Sequence, residues 1–160
     1  RLVRKANMRK LFTLIASLAL IASCSGDKPK REEAGNVIIR GNSSIFDLKV
    51  GDCFREELKA EATDIDLVPC NEAHTHEAYF AVDYVGDAYP GSATLEVFAE
   101  QQCVGAFADY VGVELAQSPL YFTYLYPSDT TWQTKNNHQV MCFVVSRDEV
   151  LTETVKGTAS

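Results

Sequence analysis

The spacing of apolar residues divides the chain into strand-like and helix-like segments. Alternating or β-branched apolar runs predict strands at 45–54, 65–70, 76–85, 120–126 and 139–146. Between 95 and 110, apolar residues recur every three or four positions, which predicts an amphipathic helix. Ser92 or Thr94 is expected to cap its start, and the helix is expected to end near Gly112. The run at 120–126 is apolar on both faces of an extended chain, which is typical of a central strand.

These elements do not alternate as β-α-β units. One helix followed by strands in a hairpin-like order predicts an α+β fold, with a mostly antiparallel sheet packed on one main helix. Four cysteines within these elements allow three disulfide pairings: Cys53, Cys70, Cys103 and Cys142. Cys103 lies on the apolar face of the predicted helix and Cys142 in the middle of the last strand. We therefore favour this pair, which leaves Cys53 to pair with Cys70.

The N-terminal segment has the pattern of a secretory signal peptide. Met8 is followed by two basic residues and by an apolar run at 11–21, which is too short to cross a bilayer as a helix. The aliphatic and small residues at 20–24 end in Cys24, and this segment resembles the lipobox of bacterial lipoproteins. The resemblance implies cleavage after Ser23 and a diacylglyceryl group on the Cys24 sulfur. We expect a lipid-anchored protein on the extracytoplasmic face of the cell membrane.

Three regions are expected along the chain. They are residues 1–23, the leader; residues 24–44, the lipidated cysteine and a flexible polar tether; and residues 45–157, one folded domain. Residues 1–7 precede Met8, and we interpret them as a start misassignment.

Charge and motif content restrict the function. The leader carries five basic residues and no acidic one, so that 10 basic and 22 acidic residues remain, a formal charge of −12. Because nucleic-acid binding depends on Lys and Arg neutralising phosphates, we expect no nucleic-acid partner. The chain has no G-x-S-x-G, S-x-x-K or H-E-x-x-H motif and no glycine-rich phosphate loop. We therefore expect no enzymatic activity and no cofactor.

Two histidines give a metal-site hypothesis. His74 and His76 would project from the same face of an extended segment, and His138 or Glu77 could add a third zinc ligand. The alternative is that these polar side chains fix the chain beside Cys70.

An aromatic-rich segment gives a weak binding hypothesis. Tyr and Trp side chains are good anchors for glycan or protein partners, and core packing is the alternative. We expect Tyr89 and Trp132, which lie beside turns, to be the first of these residues to be exposed.

The order of several short motifs resembles a known family. Residues 51–54 read Gly-Asp-Cys-Phe, Cys70 is followed by His74 and Glu77, and Trp132 precedes the last cysteine. This order is similar to that of the septum formation domain of actinobacterial envelope proteins, and the resemblance covers residues 49–157. Two positions differ: Ala73 stands where the family often has proline, and residues 136–138 replace a Gly-Asp-Arg-like turn.

The resemblance implies a secreted or membrane-tethered domain and supplies no catalytic residue. We therefore expect a noncatalytic interaction module of the cell envelope, with envelope or division proteins as partners. The alternative function is a small-ligand or metal-binding carrier lipoprotein.

Overall fold

The computed structural model describes residues 27–55, 57–59, 62–146 and 149–160. Cys24 and the leader lie outside these residues. The strands are β1 Lys30–Arg31, β2 Val37–Ile39, β3 Gly41–Ser44, β4 Cys53–Phe54, β5 Asp64–Val68, β6 His76–Asp83, β7 Tyr121–Leu125 and β8 Gln139–Val145; the helices are α1 Ser92–Val111 and α2 Asp129–Lys135. Short 3-10 turns occupy Ile45–Asp47 and Leu115–Gln117.

Six strands form one curled antiparallel sheet in the order β3-β5-β4-β6-β8-β7, and β1 pairs with β2 in a separate hairpin. α1 packs on one face of the large sheet, mainly on β6, β7 and β8. The other face encloses a second core that includes Phe54, Leu67 and Phe143. The predicted α+β fold with one main helix is confirmed.

The apolar stripe of α1 faces the sheet. The buried residues follow the predicted spacing: Leu95, Ala99, Cys103, Phe107, Tyr110 and Val111. Gly112 ends the helix in the left-handed conformation, as expected, and its N–H donates to the Ala108 carbonyl. The predicted side-chain cap at Ser92 or Thr94 is wrong, because Gly91 occupies the cap position and makes no side-chain bond. No helix in the described ranges has both the length and the apolar character that crossing a membrane requires.

Two disulfides join the elements in the predicted pairing. Cys53 bonds to Cys70 with a Cα–Cα distance of 5.3 Å, and Cys103 bonds to Cys142 with 5.5 Å. The first links β4 to the chain just after β5, and the second links α1 to β8. Both halves of the domain therefore carry one covalent link.

Two strand predictions need correction. The aromatic run forms β7, which is an edge strand rather than a central one. Both of its faces are apolar because Phe122 and Tyr124 pack toward α1 while Leu125 packs into the core on the other face. The segment at 45–47 is a 3-10 turn, not a strand.

The prediction of a flexible tether is wrong for residues 30–44. Arg31 forms a bidentate ion pair with the buried Asp52, and Val37 is buried in the core. β3 pairs with β5 along its length. A Cβ at Gly41 would lie 2.6 Å from the Lys28 carbonyl carbon, so glycine is required where residues 27–29 cross β3. Backbone pairing and one ion pair therefore order a segment that is poor in apolar residues.

Removing each disulfide is expected to destabilise the domain by an amount that depends on loop length. The chain-entropy model gives about 3 kcal/mol for Cys53–Cys70, with a sequence separation of 17, and about 4 kcal/mol for Cys103–Cys142, with a separation of 39. Urea unfolding of the two paired Cys→Ala variants checks this order. A larger loss from removing Cys53–Cys70 would contradict it.

Candidate functional site

A buried carboxylate, Glu77, joins three parts of the chain. Its side chain is fully buried on the helix-facing side of β6. Oε1 accepts hydrogen bonds from the Tyr110 hydroxyl at 2.7 Å and the Thr154 hydroxyl at 2.5 Å, and Oε2 accepts from the Val155 backbone N–H at 2.9 Å. Glu77 therefore holds the last turn of α1 and the C-terminal segment against the sheet.

The environment of Glu77 keeps its carboxylate ionised. Burial alone raises the pKa of a carboxyl group, but the adjacent His74 and the hydrogen bonds from Thr154, Tyr110 and Val155 outweigh burial, and the pKa of Glu77 is lowered. In the same contact, burial and the negative charge of Glu77 raise the pKa of Tyr110. Tyr110 is therefore a stable hydrogen-bond donor to the carboxylate.

His74 completes this cluster from the loop before β6. Its backbone pairs with Leu151 in both directions, at 2.8 and 2.9 Å, and its Nδ1 lies 2.8 Å from the Glu72 carbonyl oxygen. His74 Nε2 lies 3.7 Å from Glu77 Oε2, which is an electrostatic contact but too long for a hydrogen bond. Among the described residues, this Nε2 is buried without a hydrogen-bond partner.

The two histidines of the metal hypothesis do not point to one site. His76 stacks on Phe54 with ring centroids 4.7 Å apart, on the face of the sheet opposite to Glu77, and burial lowers its pKa. The predicted shared face is wrong because the extended strand begins only at His76. His138 comes directly before β8, beside the far end of β6. Seven residue steps separate His76 from that end, which at about 3.3 Å per residue is about 23 Å.

One potential ligand cluster is found in the described part of the chain. It consists of Cys53, Cys70 and Glu77, whose ligand atoms lie within 4.8 Å of one another. Both sulfurs are consumed by the disulfide, and the carboxylate is occupied by its three hydrogen bonds. The arrangement does not support a zinc site at His74 and His76.

The two residues of the weak binding hypothesis belong to an aromatic cluster beside α2. Trp132 is buried, contrary to expectation, because its ring stacks on His138 at 3.8 Å between centroids and also contacts Tyr84. Tyr89 is half-buried against Trp132, and its hydroxyl lies 3.0 Å from that of Ser92. The rings of Trp132 and Tyr89 are therefore packed against other residues of the domain. Neither ring stands alone as an exposed anchor for a partner.

The edge of the sheet presents a row of aromatic rings, which we call the aromatic row: Phe122, Tyr124 and Tyr126. Successive ring centroids are 6.2 and 6.1 Å apart. Because Tyr124 pairs with Cys142, the row lies on the helix-facing side of the sheet, and its rings are half-buried beside α1. In the described part of the chain, β8 is the one strand that pairs with β7.

Acidic side chains of α1 border the aromatic row. The Tyr126 hydroxyl donates to Glu96 at 2.7 Å, and this hydrogen bond raises the pKa of Tyr126 to about 12. Burial raises the pKa of Tyr124, and the negative charges of Glu100 and Glu96 add to the effect. The surface combines the edge strand of the described sheet, aromatic rings and negative charge.

A cleft of about 480 Å³ lies on the outer side of the Glu77 cluster. Ile38 and Val50 line one part of it, and Tyr110, Thr154 and Lys156 line another. The Lys156 ammonium lies 5.8 Å from the centroid of the Tyr110 ring. The hydroxyls of Tyr110 and Thr154 point inward to Glu77, so that the carboxylate is closed off from the cleft.

The sequence identified only part of this arrangement. The sequence predicts His74 as a zinc ligand, Glu77 as an optional third ligand and Tyr110 as part of the apolar period of the helix. A tyrosine on an apolar helix face does indicate a buried hydrogen bond, because a buried hydroxyl group needs a hydrogen-bond partner. Thr154 gives no such signal, since the C-terminal segment has no apolar period.

Replacing Tyr110 by Phe is expected to reduce stability in a pH-dependent way. Loss of a hydrogen bond to a charged group costs about 1.5–3 kcal/mol, and it raises the folded-state pKa of Glu77. A lowered carboxyl pKa stabilises the fold above the usual value of 4.5, and this stabilisation is lost as the pH falls through the folded-state pKa. The difference between wild type and variant should therefore be largest near neutral pH and shrink in acid, as measured by urea unfolding.

Tyr79→Phe is the matched control. The Tyr79 hydroxyl is also buried, but it donates to the neutral Cys103 carbonyl at 2.6 Å. Its loss should cost about 0.5–1.5 kcal/mol at every acidic pH tested. Equal pH dependence in both variants would contradict the assignment of the charged network to Glu77.

The chain matches a family model described as septum formation over residues 39–157. The match begins beside β3 and includes both disulfides, Glu77 and the C-terminal segment that Glu77 holds. No curated protein and no solved structure matches the sequence. The aligned region covers most of the chain, and the order of elements within it is the one that carries the buried network. The chain belongs to the septum formation family.

Proposed function

We propose that the protein is a noncatalytic interaction module that is lipid-anchored at Cys24 on the outer face of the cell membrane and contacts envelope or division proteins during septum formation. The link to septum formation rests on the family match over residues 39–157. The remaining parts of the proposal rest on the chemistry of the site and of the N-terminal segment.

The proposal that the protein is noncatalytic rests on the burial of the motif residues. A catalytic carboxylate must reach the substrate within hydrogen-bond distance, directly or through one water. Glu77 is fully buried and accepts three hydrogen bonds from its own chain, and His74 is fully buried beside it. The motif from Cys70 to Glu77 therefore has an architectural use, which favours a binding module over an enzyme.

Two observations support a position outside the cytosol. The segment ending in Cys24 resembles a lipobox, and two acyl chains hold a protein stably on a bilayer. The domain contains two disulfides, which persist in oxidising compartments and are rare in the cytosol.

The aromatic row and the edge of β7 are the proposed contact surface. An exposed strand edge can pair with an extended segment of a partner, and the neighbouring rings supply pockets for its side chains. Glu96 and Glu100 flank the row, so complementary charge favours a segment that carries Lys or Arg. The partner class is thus an extended basic segment of an envelope or division protein.

Photo-crosslinking of the full chain in growing cells tests this proposal. A photoreactive side chain replaces the exposed Glu100, and the matched control replaces Val85, which is 93 % exposed and lies two residues after the end of β6. The proposal predicts that division proteins are crosslinked from position 100 and not from position 85. It also predicts that Cys24→Ala moves the protein out of the membrane fraction.

The same experiment can contradict the proposal in two ways. Identical crosslinked species from both positions would exclude the aromatic row as a specific surface. Retention of the Cys24→Ala variant in the membrane fraction would exclude the lipid anchor.

A further inference from the structure

The folded domain begins almost at the proposed anchor. Two residues, Ser25 and Gly26, lie between Cys24 and Asp27, and the three residue steps from Cys24 to Asp27 span at most about 11 Å. The Asp27 carbonyl accepts a hydrogen bond from the Asn42 N–H at 3.2 Å, and the backbone of residues 27–29 lies directly over Gly41. A lipid on Cys24 would therefore hold this end of the domain at the bilayer surface, without a tether of 20 residues.

We propose that this end of the domain is a membrane-contacting surface that sets the orientation of the protein on a phospholipid bilayer. We call it the anchor-proximal surface: Ile38, Val50 and Lys156, which line one cleft, and the hairpin residues Lys30 and Ile39. The inference rests on the lipid anchor of the proposed function and adds to it which face of the domain meets the lipid.

Exposed aliphatic side chains support this assignment. Ile38 is 53 % exposed, Val50 is 47 % exposed, and both line the same cleft together with Lys156. Ile39, also exposed, pairs with the exposed Lys30 across the hairpin. Aliphatic residues with neighbouring lysines are typical of surfaces that lie at a membrane interface, where the ammonium groups reach the headgroups.

The hairpin that carries these residues is held rigidly. Arg31 donates to the buried Asp52 through its Nη1 and Nη2 atoms and to the Gly35 carbonyl through Nη1, and Asp52 also accepts from the Lys49 N–H at 2.9 Å. The hairpin and the turn that carries Val50 therefore form one unit with the rest of the domain. An orientation imposed on the hairpin is transmitted to the whole domain.

The charge distribution favours the same orientation. Between residues 25 and 50 there are five basic and four acidic residues, whereas residues 51–160 contain five basic and 18 acidic residues. Two acidic residues in the hairpin, Glu32 and Glu33, lie among the lysines, and the Glu32 carboxylate accepts from the Asn36 side chain at 2.6 Å. The N-terminal segment has a formal charge of +1 and the larger segment a formal charge of −13, so an anionic bilayer repels the larger segment only. The anchor-proximal surface is thus the electrostatically preferred contact.

This orientation places the Tyr126 end of the aromatic row away from the lipid. α1 is about 30 Å long, and its last turn, at Tyr110, borders the cleft that Ile38 and Val50 line. Glu96, which borders the aromatic row, lies in its first turns. Phe122 and Glu77 both pair with Val144, so the row starts level with the Glu77 cluster and its Tyr126 end lies farthest from the lipid.

Quenching of tryptophan fluorescence by brominated lipids tests the orientation. Full-length, acylated protein is placed on vesicles of phosphatidylglycerol and phosphatidylethanolamine with brominated acyl chains. Val50→Trp is the reporter, and Val85→Trp is the matched control because Val85 lies beyond the far end of β6. The native chain contains a single tryptophan, Trp132, which lies in the cluster beside α2 and gives the background signal.

We expect a blue shift and loss of the added emission for Val50→Trp, and no loss for Val85→Trp or for the native protein. Ile38→Asp in the Val50→Trp background should restore part of the lost emission, whereas Val97→Asp, at an exposed position on α1, should not. Far-UV circular dichroism of each variant confirms that it is folded.

The outcomes separate the two proposals. Acylated protein that floats with the vesicles but shows equal quenching of Val50→Trp and Val85→Trp would overturn the orientation and leave the lipid anchor in place. Protein that carries no acyl group and stays off the vesicles would overturn the lipid anchor and the orientation with it.

Discussion

The fold depends on a buried carboxylate that accepts hydrogen bonds from two other segments of the chain. Glu77 lies on β6, Tyr110 at the end of α1, and Thr154 and Val155 in the C-terminal segment, and the carboxylate is the acceptor they share. Leaving such a charge without these donors costs about 3–5 kcal/mol, a large share of the stability of a small domain. The apolar core and the disulfides bring the elements together, but the carboxylate fixes where α1 and the C-terminus end on the sheet.

The elements with a strong apolar period could be predicted from the sequence. The buried stripe of α1, its end at Gly112, and the strands β5, β6 and β8 follow from residue spacing. The pairing of Cys103 with Cys142 followed from their positions on the helix face and in the last strand. The element predictions succeed because each depends on side chains that are close together along one element, and the disulfide prediction succeeds because it uses the buried positions of two such elements.

The N-terminal segment could not be predicted in the same way. Its order arises from contacts over long sequence distances, between Arg31 and Asp52 and between β3 and β5. Composition indicated a flexible tether, because a polar segment without apolar residues usually cannot offset the entropy of ordering. The predicted shared face of His74 and His76 is wrong for a related reason. The prediction requires both residues to lie in one strand, but β6 begins only at His76. The cluster around Glu77 depends on Thr154, 77 residues away, for which local pattern gives no signal.

The interior and the surface of the domain have separate uses. The motif residues Cys53, Cys70, His74 and Glu77 serve the architecture, and we propose that binding uses two surfaces, the anchor-proximal surface and the aromatic row. The anchor-proximal surface faces the lipid in our account, and the Tyr126 end of the aromatic row lies farthest from it. A rigid domain that joins the two would hold the open edge of β7 at a fixed height above the membrane, where an extended segment of a division protein can reach it.

The ionisation state of Glu77 tests the central claim most directly. Carbon-13 NMR of the side-chain carboxyl, followed from neutral pH into acid, reports its protonation in the folded protein. The account predicts that Glu77 stays ionised below pH 4.5, the usual value for glutamate, and that it protonates only as the domain unfolds. Protonation at or above pH 4.5 in a fully folded protein would contradict it.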